Sequence, residues 1–103
     1  MNMLEVRSPY NDELIGEVPL IDADGIEHAL QTAHDAYRDK SAWLPLHERV
    51  AILEKLAALM TDRRETLALQ AAREGGKPLK DSLVETDRAI DGVKICIEVI
   101  RHD

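Results

Sequence analysis

Cys96 is the only thiol in the chain, and the first chemistry it offers is that of a nucleophile. Such a group needs a basic partner and a pocket. Ile95 and Ile97 flank it inside an apolar run, so it reads as a small hydrophobe on a helix face. Four histidines, His28, His34, His47 and His102, could bind a metal. His28 and His34 are spaced wrongly for a helical ligand pair, and His47-Glu48 lacks the second histidine of the zinc-protease motif. Glu98 and His102 share a helix face, but two ligands fall short of a site. The acids Asp81 with Glu85, and Asp87 with Asp91, also stand one helical turn apart. Carboxylate metal sites in bundles draw on several helices and on Glu-x-x-His pairs, which are absent here, so these acids read as solvated faces. Gly75-Gly76-Lys77 has part of a phosphate-loop composition, yet the full Gly-x-x-x-x-Gly-Lys-Ser/Thr string is missing and no strand leads into it. A helix stop is the better reading. At that turn the Lys77 charge is expected to reach the last carbonyls of the preceding helix. The residues alone assign no catalytic, cofactor-binding or metal-binding role.

The elements that would position these groups must come from one small domain, since the chain has 103 residues. An apolar content of 45% argues against general disorder. Tyr10, Tyr37 and Trp43 are the only aromatics and Phe is absent, so the core is expected to be aliphatic, as in helix-on-helix packing. The net charge of −7 repels phosphate backbones, which argues against nucleic acid as a partner. No apolar run approaches the ~18 residues of a membrane span. Met1-Asn2-Met3-Leu4-Glu5 has neither a basic region nor an apolar signal core. A cytoplasmic location is therefore expected, and the lone cysteine agrees with it.

Residues 4–19 read as a β-hairpin or extended arm, with Leu4–Arg7 and Leu14–Val18 flanking the turn formers Ser8-Pro9-Tyr10-Asn11-Asp12-Glu13. The rest, 25–103, reads as about four helices. Asp22 or Asp24 caps the first, over about 25–39, with Ile26, Ala29, Leu30, Ala33 and Tyr37 as its buried face. Trp43 falls in the connection. Pro45 suits the first turn of the second helix, which carries Ile52, Leu53, Leu56, Leu59 and Met60. Asp62 and Glu65 have the spacing of a capping box and predict the start of a third helix presenting Leu67 and Ala71. That helix reaches Ala72 or Glu74, where Gly75-Gly76 stops it. Pro78 admits a last helix with Leu79, Leu83, Thr86, Ile90, Val93, Ile97 and Ile100 along one side, widened by Ala89 and Cys96. Nothing repeats, and no linker divides the chain.

The order of these signals resembles the NAD(P)-dependent aldehyde dehydrogenase superfamily. Pro9-Tyr10-Asn11-Asp12-Glu13-Leu14-Ile15-Gly16-Glu17-Val18-Pro19 is similar to that family's opening segment, and Ile26–Tyr37 to its first helix. Trp43 precedes the arginine-led run Arg49–Ala57, as in the family. Glu74-Gly75-Gly76-Lys77-Pro78-Leu79 is similar to its glycine-lysine-proline turn, with Glu85 and Arg88-Ala89-Ile90 continuing the match. Ser8 and Gly75 depart from the usual residues without disturbing either turn. The resemblance covers essentially the whole chain.

The resemblance implies the N-terminal segment, roughly a fifth, of a larger α/β enzyme that oxidises aldehydes with NAD or NADP. Its chemistry needs a thiolate that forms a thiohemiacetal, donors for the oxyanion and a base for deacylation. The family takes these from a cysteine, an asparagine and a glutamate expected beyond residue 103, together with the groups that hold the dinucleotide. The chain by itself is therefore expected to be inactive and to bind no cofactor. Some family members carry a structural monovalent cation near the helix after the turn; Glu85 is a candidate for that neighbourhood, although the preferred reading leaves it without the role. A second reading is a small helical interaction module that self-associates through its last helix, using Ile90, Val93, Ile97 and Ile100 as an uncovered surface. On either reading the chain is expected to form at least a dimer that buries this stripe between copies. The sequence ends within that stripe, which predicts a packing partner downstream.

Overall fold

The computed structural model describes residues 2–102; Met1 and Asp103 lie outside the described residues. Strands β1 (Met3–Arg7) and β2 (Leu14–Pro19) pair antiparallel, with Leu4 opposite Val18 and Val6 opposite Gly16. The register shifts between Val6 and Arg7, where the strand enters its connecting loop. The expected hairpin is present. Its loop is closed by its own polar groups. Ser8 N–H donates to the Glu13 carbonyl at 2.8 Å, Asp12 N–H to the Ser8 carbonyl at 2.8 Å, and Tyr10 N–H to Ser8 Oγ at 3.2 Å. Asp12 has φ 60°, a left-handed conformation that aspartate tolerates in turns.

Helix α1 (Ala23–Arg38) starts where Asp22 Oδ1 accepts from Gly25 N–H at 2.8 Å, which settles the cap on Asp22. A short 3-10 turn, Lys40–Ala42, leads to Trp43, whose indole N–H donates to the Ala36 carbonyl at 3.1 Å. Its ring lies 5.8 Å from that of Tyr37. The expected burial of α1 is not found. Ile26, Leu30 and Tyr37 are 50%, 59% and 68% exposed, and no residue of the helix is buried. Amphipathic spacing shows that a helix has a face to cover, but it does not supply the neighbour, and α1 packs on little beyond the 3-10 turn that follows it.

The core lies among α2 (Leu46–Asp62), α3 (Arg64–Gly75) and α4 (Leu79–His102). Pro45 caps α2, one position before the first turn, and its carbonyl accepts from Glu48 and Arg49 N–H. Only Arg63, at φ −102° and ψ 16°, separates α2 from α3. This corrects the expected capping box. Asp62 is the last residue of α2, and α3 starts without a side-chain cap because Arg63 both receives the last turn of one helix and begins the next. The two helices touch little and lie end to end along α4. At 24 residues, or ~36 Å, α4 is long enough to pack on both.

Val50 and Ala57 of α2, Ala68 of α3, and Ser82, Thr86, Ile90 and Ile97 of α4 are buried. Much of the interior is small. Ala68 and Ser82 are both fully enclosed, which lets the helix axes approach closely, and Leu67 and Ala71 are only partly covered beside them. Ser82 Oγ finds no hydrogen-bond partner among the described residues. Ile52, Leu56 and Leu59, by contrast, are 54%, 42% and 36% exposed.

The last stripe also changes meaning. Ile90 and Ile97 are 6% exposed, and Val93 and Ile100 are half-buried, so this surface is the core rather than an uncovered docking face. Cys96 and Ala89, expected to widen it, are exposed. At 100° per residue, Cys96 falls beyond the edge of the side that α2 and α3 cover.

Candidate functional site

A cleft of about 480 Å³ opens between the β1–β2 loop and the α3–α4 turn. Its walls come from Ser8, Tyr10 and Glu13 on one side and Arg73, Lys77 and Pro78 on the other. The turn is built by Gly76, which sits at φ 62° and ψ 35° and ends α3 as expected from Gly75-Gly76. Lys77 N–H then donates to the Ala72 carbonyl at 3.2 Å, and the Pro78 carbonyl accepts from Asp81 and Ser82 N–H to start α4. A Cβ on Gly76 would stand 2.6 Å from Pro9 Cγ, so the same glycine lets the hairpin loop close on the helical pair. Two segments far apart in sequence thus meet at one residue.

Charge pairs hold the cleft. Arg73 reaches Glu13 at 3.4 Å. The Lys77 ammonium pairs with the Glu85 carboxylate on α4 rather than with the last carbonyls of α3, which corrects the expected role of its charge. A carboxylate within reach gives the ammonium a full opposite charge, a stronger partner than a helix end. That pairing satisfies Glu85 with an internal cation. It also leaves the cleft without an uncommitted lysine for a cofactor phosphate, and Glu13 adds a negative charge at its rim. The residues here do not fit a dinucleotide.

Asp87 is likewise more than a solvated acid. Arg64 donates to both of its carboxylate oxygens, at 2.5 and 2.8 Å, tying the start of α3 to the middle of α4. The hydrogen bond from Arg64 holds the Asp87 carboxyl below its ordinary value; partial desolvation opposes this and the Arg64 charge adds to it. Lowering the pKa in the folded state stabilises the fold above the ordinary aspartate range, and the contribution is lost as pH falls through the depressed value. We therefore expect Asp87→Asn to cost stability at neutral pH and the gap from the parent chain to close as acid is added. A gap that stays constant in urea melts across that range would contradict the pairing.

The other sequence candidates do not assemble. His28, His34 and His47 are exposed on α1 and α2. His102 Nε2 lies 3.3 Å from Glu98, the shared face expected from their spacing, and no third ligand joins them: among the described residues no group of three His, Cys, Asp or Glu could hold a metal. Sequence reading missed the Arg64–Asp87 and Arg73–Glu13 pairs. Their partners are 23 and 60 residues apart, so no local pattern announces them.

The aldehyde dehydrogenase family model matches residues 1–103. Lactaldehyde dehydrogenase of Methanocaldococcus jannaschii is 32% identical over 99 residues, which cover 96% of this chain and 21% of the relative. N-succinylglutamate 5-semialdehyde dehydrogenase 1 of Caulobacter vibrioides is 38% identical over 91 residues, covering 88% of this chain and 19% of the relative. The crystal structure of glyceraldehyde-3-phosphate dehydrogenase GapN from Methanocaldococcus jannaschii, complexed with NADP, superposes with a TM-score of 0.83 at 31% identity, over 91% of this chain and 20% of that one. The hairpin and helices therefore share the fold of the corresponding part of that structure. The chain belongs to the aldehyde dehydrogenase family. It spans about a fifth of the length of the relatives it matches.

Proposed function

We propose that these 103 residues are the N-terminal segment of an enzyme that oxidises an aldehyde to an acid with NAD or NADP. The observation that carries the reading is the family match along the whole chain, joined to a fold that superposes on a dehydrogenase solved with NADP. The thiohemiacetal cysteine, the oxyanion donors, the deacylating base and the dinucleotide site belong to residues beyond these. In this chain the hairpin loop, the Gly76 turn and the α2–α4 layer form a scaffold packed on a small buried core and bridged by ion pairs at its surface. No described helix is long and apolar enough to cross a membrane, and the proposed location is the cytoplasm.

The 103-residue chain is accordingly inert. Cys96 stands exposed on α4, and the nearest histidine in sequence, His102, is engaged with Glu98. Purified chain incubated with NAD or NADP and a panel of aldehydes is expected to form no reduced nicotinamide above background. Turnover that survives removal of contaminating enzymes would refute this. For the larger protein, the gene past residue 103 is expected to encode a cysteine-centred active-site segment and a dinucleotide-binding fold; their absence would end the assignment.

The alternative of a module that associates through α4 loses its ground. Ile90 and Ile97 are spent in the core, and the opposite face offers Val84, Ile95 and Val99 with Arg88 and Asp91 set between the first two. Charges interrupting a helix face disfavour its burial.

A further inference from the structure

We draw no further inference here: the strongest candidate, the exposed apolar face of α1 with Ile26, Leu30 and Tyr37, belongs to a chain spanning about a fifth of the length of its relatives, and nothing in the structure shows what covers it.

Discussion

Replacing Ile97 by Ala is expected to lower the stability of the chain by ~2–5 kcal/mol, a large fraction of what so small a core supplies. The side chain is 6% exposed on the face of α4 that packs against α2. Ala57 is the buried residue of α2 at the same groove, and a helix surface made of alanine cannot move in to fill the lost volume. Burial of an isoleucine contributes about 1.5–3 kcal/mol by transfer alone, and the cavity adds to the loss. Ile95 provides the control. It lies two positions away on the same helix, is 62% exposed, and its replacement by Ala is expected to change stability by less than ~0.5 kcal/mol. Urea melts followed by circular dichroism measure both. Equal losses at the two positions would mean that α4 does not present the face described here. If Ile97→Ala fails to fold at all, Ile97→Val still ranks below the parent chain by ~0.5–1.5 kcal/mol.

Gly76→Ala is the second large effect. The residue holds φ 62°, where an L side chain costs about 1–2 kcal/mol. Its new Cβ would also fall 2.6 Å from Pro9 Cγ and 3.3 Å from the Tyr10 nitrogen. Neither neighbour is the free end of a long side chain, so the hairpin loop must shift and the cleft must widen. Gly75→Ala separates this from a general intolerance of the turn. Gly75 is the last residue of α3, and a Cβ there would meet only the Lys77 side chain, at 3.6 Å and beyond. Alanine at that position is expected to be neutral or to stabilise by up to ~1 kcal/mol. Thermal melts of the two variants should move in opposite directions or leave Gly75→Ala unchanged. A Gly76→Ala chain as stable as the parent would remove the glycine from its proposed place between loop and turn.

The sequence determined the local elements and the family. Turn formers between two alternating runs gave the hairpin because loop chemistry is short-range. Asp22, Pro45 and Gly76 marked helix ends for the same reason, since a cap depends on a few neighbouring residues. The failure at Asp62 has the same logic in reverse. A capping pattern competes with helix continuation, and here Asp62 falls in the last turn of α2. The order of motifs that resembles aldehyde dehydrogenases was also legible, and the family match bears it out.

Only the tertiary structure decided which apolar face is core. The spacing of Ile26, Leu30 and Tyr37 is as regular as that of Ile90 and Ile97, yet the first set is exposed and the second buried. Periodicity defines a face, while burial depends on which other helices reach it, and that rests on contacts far apart in the chain. The charges followed the same rule. Asp87 and Glu85 have the spacing of solvated acids until α3 brings Arg64 to one and the turn brings Lys77 to the other. An ion pair is a property of two positions in space, so a linear pattern can show each charge without showing its partner.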